Sequence, residues 1–493
     1  MASTMFPSSA MGLPASLKYD LPPSMSDSAR SYSVNVAPDG QTSVVGTATA
    51  GSATYPFVAG SSANFGAFTA QNISFTIPSG MSDSVFLDPV NTTLSFTLTY
   101  TVTSSVTTGS TSASINLIGS GASWFDSLVL YSNNTPIETI NMYGMLQNYL
   151  LQNTVNTAER YGGISVAMGA DNNSNNGLEL GWTTASYRYN FCIPLLSVIG
   201  VNSPDKLFPV GSVNNLQLVM TTASITPVVS YCTAIQTTPG TIGAFTLSEF
   251  QLNMKYVDVS DMAAQQLRQT LQDGKWYMKA MTYTNSSVNI PSGSSGAQQL
   301  LLQIRNSSVK SIIHQFGISQ SAVCPNGYYD AVNIALTSRQ CQVAGQFFPN
   351  RPINDCARPA EAYPYLIQSR GGGIAKSLGT VVSSNAYNAV IPSLPTGSDS
   401  RCVVPAAGLR SAATNDDSTT TQISKFPNSA YYGYDLEKVS SILFSGLNTR
   451  ASPPFLNLFL GAAATSSIIC QAWGISDVVL VFDTVSKQVQ AFI

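Results

Sequence analysis

The chain has 493 residues, longer than one compact core sustains and of a size for two or three domains. Only 10% of the residues are charged, against about 25% in ordinary soluble domains, and the net charge is -3 with no basic tail, which argues against direct, strongly salt-dependent binding to nucleic acid. Hydrophobic residues make up 44%, enough for a sizeable core, and Ser, Thr, Asn, Gln and Gly supply an uncharged polar remainder suited to contacts among many copies, where few charges need desolvating.

Residues 1–65 are rich in Ser, Ala, Gly and Pro and read as an extended N-terminal arm with a short strand. Strand signals follow. Ile73, Phe75 and Ile77 alternate with polar residues, and Leu94, Phe96, Leu98, Tyr100 and Val102 alternate with Ser95, Thr97, Thr99 and Thr101, so one face is buried and one is polar. Leu128–Tyr131 and Ile137–Ile140 flank Asn133-Asn134, a hairpin signature. Met142, Met145, Leu146, Tyr149 and Leu150 recur at helical spacing. Further strands are expected at Tyr187–Ile193, Leu216–Met220 and Phe250–Tyr256. A helical linker is predicted over 259–275, with Ser260 as cap, Asp261 at the positive dipole end, Ala263, Leu267 and Leu271 on one face, and Gly274 as its end. Strands resume at Trp276–Thr284, Leu300–Ile304, Val309–Phe316, Gln342–Phe348, Phe455–Leu460, Val478–Phe482 and Val489–Ile493. Many short strands with few helices point to an all-β chain of sandwiches or barrels.

The two halves also resemble each other. Thr76-Ile77-Pro78-Ser79-Gly80 matches Asn289-Ile290-Pro291-Ser292-Gly293, and Asn91-Thr92-Thr93-Leu94 matches Asn306-Ser307-Ser308-Val309. Leu216, Leu218 and Met220 match Leu456, Leu458 and Leu460, and Ser248–Leu252 matches Ser476–Leu480. The duplication places a first module at 66–258 and a second at 276–493.

No catalytic, cofactor-binding or metal site is read from the residues. The one histidine, His314, lies in a strand-like run, which favours a packed side chain, and a single His cannot build a multi-histidine metal centre. Gly371–Ser377 lacks the glycine spacing of a phosphate loop, and Asp171–Gly177 lacks the closing Glu of a calcium loop. Asn415-Asp416-Asp417 reads as a solvated loop. Tyr187, Tyr189, Tyr431, Tyr432 and Tyr434 could stack on sugars but suit a core or subunit interface. Seven widely spaced cysteines without CxxC read as free thiols. Neither a signal peptide nor an apolar run of about 18 residues is found, so the chain is expected to be made without a secretory signal.

In order along the chain come Ile73–Pro78, Phe86–Pro89, Trp124–Leu128, Phe250–Leu252 before the linker, Ser308–Ile312, Gln346–Ile353, Glu361–Tyr363, Asp435–Glu437 and Ser445–Asn448. As an ordered set these resemble the motifs of the double jelly-roll major capsid proteins of the adenovirus–tectivirus lineage, above all the versions of Polinton-like viruses, adintoviruses and virophages. Pro364 interrupts the helix expected after Glu361. The resemblance implies two tandem eight-stranded jelly rolls with short helices. It also implies a non-enzymatic role in the virion, as a homotrimer of pseudo-hexagonal outline that meets neighbouring capsomers, penton and minor capsid proteins and tiles an icosahedral shell. Loops 160–180, 225–245 and 395–425 would form exposed towers. A surface adhesin or S-layer-like protein and a carbohydrate-binding β protein are the alternative readings.

Overall fold

The computed structural model describes residues 29–40, 43–45, 53–55, 70–104, 107–108, 113–154, 163–169, 177–180, 185–203, 206–223, 228–232, 236–238, 240–242, 245–259, 264–265, 268–269, 274–318, 331, 334, 336–354, 359–370, 430–437, 445–461, 463–464 and 467–493. Eight strands frame the first module: β1 Ala29–Val36, β2 Asn72–Ile77, β3 Val85–Ser104, β4 Phe125–Ser132, β5 Thr135–Asn141, β6 Ala185–Pro194, β7 Leu216–Thr222 and β8 Thr246–Val259. They form two sheets, ordered β1-β8-β3-β6 and β2-β7-β4-β5. Eight more frame the second: β9 Lys275–Ile290, β10 Gly296–Leu301, β11 Val309–Ile318, β12 Leu336–Val343, β13 Gln346–Ile353, β14 Tyr431–Asp435, β15 Phe455–Leu460 and β16 Ile468–Asp483. Their sheets run β9-β16-β11-β14 and β10-β15-β12-β13. Adding eight to each label of the first module gives the second, so the two expected jelly rolls share one strand order. The last strand, β17 Gln488–Phe492, pairs with β16.

The alternation read from the sequence accounts for these sheets. Along β3, Leu94, Phe96, Leu98, Tyr100 and Val102 are buried, while Ser95, Thr99 and Thr101 face outward and Thr97 is covered by Asn190 and Glu249. Asn133 and Asn134 take φ of 48° and 63°, the left-handed pair that closes a tight hairpin between β4 and β5. Ala344 and Gly345, at φ 50° and 81°, do the same between β12 and β13. The single strand expected over Gln342–Phe348 is therefore two strands meeting at a turn. Each module also places helix between its fifth and sixth strands: α1 Tyr143–Thr154 and α2 Gly163–Met168 in the first, α3 Pro359–Gln368 in the second.

Other expectations change. Ala29–Val36, inside the stretch read as an arm, pairs with β8 from Ala29↔Val259 to Val36↔Leu252, so the first sheet begins there. The short strand expected in the arm thus belongs to the first sheet, where Tyr32, Val34 and Val36 alternate with Ser31, Ser33 and Asn35 but bury little. Pro78-Ser79-Gly80 follows the second strand of its module, whereas Pro291-Ser292-Gly293 follows the first strand of its own. That match is a shared turn and not a shared position; the other three matches fall on corresponding strands or at their starts. Pro364 lies inside α3 without ending it, at the cost of one helical hydrogen bond. Within the linker, Ala264–Gln265 and Arg268–Gln269 are helical, while Ser260, Asp261, Ala263, Leu267 and Leu271 lie outside the described residues.

The first module carries a superstructure at one end. Strand 113–118, between β3 and β4, pairs with 177–180, between β5 and β6, and with 228–232, between β7 and β8. Strand 240–242 pairs with 53–55, between β1 and β2, and with the end of β3. Loops 160–180 and 225–245 thus contain α2 and short strands. Loop 395–425 lies outside the described residues.

Candidate functional site

The two modules meet along a seam that forms one continuous apolar core. Tyr143, Met145, Leu146, Tyr149 and Leu151 of α1 join Met278, Tyr283, Ile313, Tyr431, Trp473, Ile475 and Phe482 of the second module. The Tyr149 ring meets Tyr431 edge-on at 4.9 Å and Trp473 at 6.2 Å. Trp473 Nε1 donates to the Asn141 carbonyl at 3.4 Å. At the end opposite the superstructure, the Asn214 amide donates to the Lys487 carbonyl at 3.0 Å, and Lys487 Nζ donates to the Gly80 carbonyl at 3.1 Å. Phe208 packs edge-on against Phe482 at 5.1 Å.

Glu138 is a fully buried acid of this seam. A register shift between Leu130 and Tyr131 lets both Ile137 and Glu138 point inward from β5. Its Oε2 accepts from Ser197 Oγ at 2.5 Å and Val198 N at 2.9 Å, and its Oε1 accepts from Thr282 Oγ1 at 3.3 Å on the second module. Complete burial pushes the carboxyl up to about 7, against the pull of these donors. Burial first, and then the Glu138 charge, also raise the Tyr283 phenol. Alternation from Ile140 puts Glu138 on the buried face and alternation from Ile137 puts it on the other, so the sequence offered only an acid bracketed by two isoleucines.

A second polar cluster collects residues from the motifs that carried the resemblance. Lys310 Nζ lies 3.0 Å from Glu437 Oε1 and 3.2 Å from Asp477 Oδ1. Ser445 Oγ donates to Glu437 at 2.5 Å and Ser308 Oγ donates to Asp477 at 3.1 Å. Burial works against the ammonium, but Glu437 and Asp477 outweigh it and hold the Lys310 pKa above its ordinary value. Gly446 fits because a Cβ there would stand 2.4 Å from the Val309 carbonyl oxygen. Arg351 pairs with Glu361, tying β13 to α3. These contacts lock strands and loops to one another, which is a framework role.

His314 is fully buried between the sheets of the second module. Its ring stacks on Tyr432 at 5.1 Å and Tyr434 at 5.6 Å, and the Arg339 guanidinium lies over the same two rings at 4.9 and 5.0 Å. Burial, and then the Arg339 charge, push the His314 pKa well below its ordinary value. Tyr431, Tyr432 and Tyr434 are buried, while Tyr187 and Tyr189 are half-buried and stack on Tyr100. Cys192, Cys341 and Cys470 are free thiols. Gly371–Ser377, Asp171–Asn176 and Asn415–Asp417 lie outside the described residues.

No family model and no curated protein matches the chain by sequence. Solved structures do match it along nearly its full length. The Faustovirus major capsid protein aligns with TM-score 0.54 and 9% identity, over 96% of this chain and 93% of that one. The mavirus major capsid protein aligns with TM-score 0.51 and 10% identity, over 100% and 95%. The PBCV-1 virus capsid aligns with TM-score 0.51 and 12% identity, over 94% and 97%. The fold is a double jelly roll. Both jelly rolls fall within the aligned span.

Proposed function

We propose that this chain is a viral major capsid protein with a structural, non-enzymatic role. The repeated strand order carries the reading: two jelly rolls fixed side by side by a buried seam, matching capsid proteins end to end. Jelly-roll one would span 29–259 and jelly-roll two 275–493, with the linker between them.

Three copies would close into a ring of six jelly rolls with a pseudo-hexagonal outline. Each ring would pack against neighbouring capsomers, penton and minor capsid proteins in an icosahedral shell around the genome. The superstructure at one end of the first module would form the exposed tower. A charged fraction of only 10% suits such packing, because each contact then desolvates mostly hydroxyls and amides. Native mass spectrometry of the purified chain tests this: a species of three times 52.1 kDa supports it, and monomer alone under assembly conditions counts against it.

A further inference from the structure

A groove of about 540 Å³ opens on the flank of the seam, where the helices of the first module face β9 of the second. Each element lends it one face. Gln147, Leu150, Leu151 and Thr154 stand at i, i+3, i+4 and i+7, a single stripe of α1. Cys192 and Pro194 point outward from β6, alternating with the buried Phe191 and Ile193. Met281 and Tyr283, again two apart, come from β9, and Ala167 and Met168 from α2.

The wall is mostly apolar, and several of its polar groups are engaged within the chain. Thr154 Oγ1 donates to the Leu150 carbonyl at 2.5 Å, and Thr93 Oγ1 accepts from Asn253 Nδ2 at 3.4 Å. Gln147 Nε2 donates to the Pro194 carbonyl at 3.3 Å, which orients the amide. Gln147 Oε1 is then a buried acceptor without a partner, in a residue only 6% exposed. Asn202 Nδ2, on the wall beside Glu138, is a buried donor without a hydrogen bond. Buried polar groups left unmet cost stability, so both favour a molecule that meets them. The described lining holds no charged side chain, and Glu138 beside Asn202 disfavours an anion. Small-molecule sites share this anatomy: roughly 300–1,000 Å³, apolar, with a few placed polar groups, often between domains.

We infer that the groove between α1, α2, β6 and β9 binds an uncharged single-chain amphiphile, its alkyl chain against Leu150, Ala167 and Met281 and its hydroxyl head turned to the Gln147 and Asn202 amides. A hydroxyl both donates and accepts, which matches the two unmet groups. The bound molecule touches both modules and braces the seam, whatever assembly the chain forms.

Cys192, a half-buried free thiol in the wall, reports on the site. Its alkylation by N-ethylmaleimide is followed by peptide mass mapping with decan-1-ol, its methyl ether or decanoate present. At about ten times its dissociation constant, decan-1-ol should slow the reaction by about tenfold. The ether lacks a donor and decanoate carries a charge, so each should protect about fivefold less. Gln147→Met should reduce decan-1-ol to the level of the ether. Ala167→Trp, with unchanged far-UV circular dichroism, should abolish protection by filling the groove. The melting temperature, followed in parallel, should rise with decan-1-ol in the wild type and not in Ala167→Trp. Equal protection by all three compounds, or no effect of decan-1-ol on either Cys192 or the melting temperature, overturns the site and leaves the capsid reading untouched.

Discussion

The hydroxyl of Tyr149 on α1 donates to the backbone carbonyl of Tyr432 on β14 at 2.9 Å, although the two residues are 283 positions apart. The bond is buried, and its acceptor sits on the strand beside His314 in the second core. It ties the helix of one module to the sheet of the other, so the modules should unfold as one unit.

Tyr149→Phe deletes that donor and leaves a buried carbonyl short of a partner, a loss of about 1 to 2 kcal/mol. Trp473→Ala empties the same seam and should cost about 3 to 5 kcal/mol. Chemical denaturation should show both as lower midpoints of a single transition. Two separate transitions in the wild type would contradict the shared core.

Glu138 makes the seam sensitive to rising pH. Its folded pKa of about 7 lies above the ordinary 4.5, so its contribution is full below about pH 4.5 and is lost as pH rises through about 7. Stability should fall by up to about 1.4 kcal/mol per pH unit across that window. Glu138→Gln should flatten this slope, read as melting temperature against pH; an unchanged slope would place the titration elsewhere.

His314 acts on the other side. Its folded pKa lies well below 6.5, so its contribution is full above that value and drains away as pH falls, when the unfolded chain takes up a proton that the folded core refuses. His314→Phe keeps a ring against Tyr432 and Tyr434. It should raise stability near pH 5 relative to the wild type while changing little near pH 8; an equal shift at both would show a packing effect alone.

Gly446→Ala should be severe. The added methyl would meet the Val309 carbonyl oxygen at 2.4 Å and the Lys310 amide nitrogen at 2.8 Å, backbone atoms held by the sheet. A loss of about 2 to 4 kcal/mol is expected, measured by denaturation. A near-neutral result would mean that this loop yields.

The double sandwich was legible because half-buried strands show alternation, as in Leu94 to Val102, and because Leu216–Met220 and Leu456–Leu460 repeat it on matching strands. The short strand expected in the N-terminal arm was not located at β1, although Tyr32, Val34 and Val36 alternate with Ser31, Ser33 and Asn35, because so short a run on an edge strand buries little and stands out weakly. The β12–β13 turn hid behind Ala344, a residue that seldom takes a left-handed φ. The seam was opaque for a deeper reason. Glu138 gains its donors from Ser197, Val198 and Thr282, which are distant in sequence, and no local pattern encodes that convergence. His314 was placed correctly as a packed side chain, but its partner Arg339 was invisible, since an arginine on a strand ordinarily faces water.

Electron microscopy of the purified chain tests the central claim most directly. Class averages should show a threefold particle whose outline is a ring of six lobes, each about one jelly roll wide, with three towers on one face. Isolated two-lobed particles under every assembly condition would contradict it.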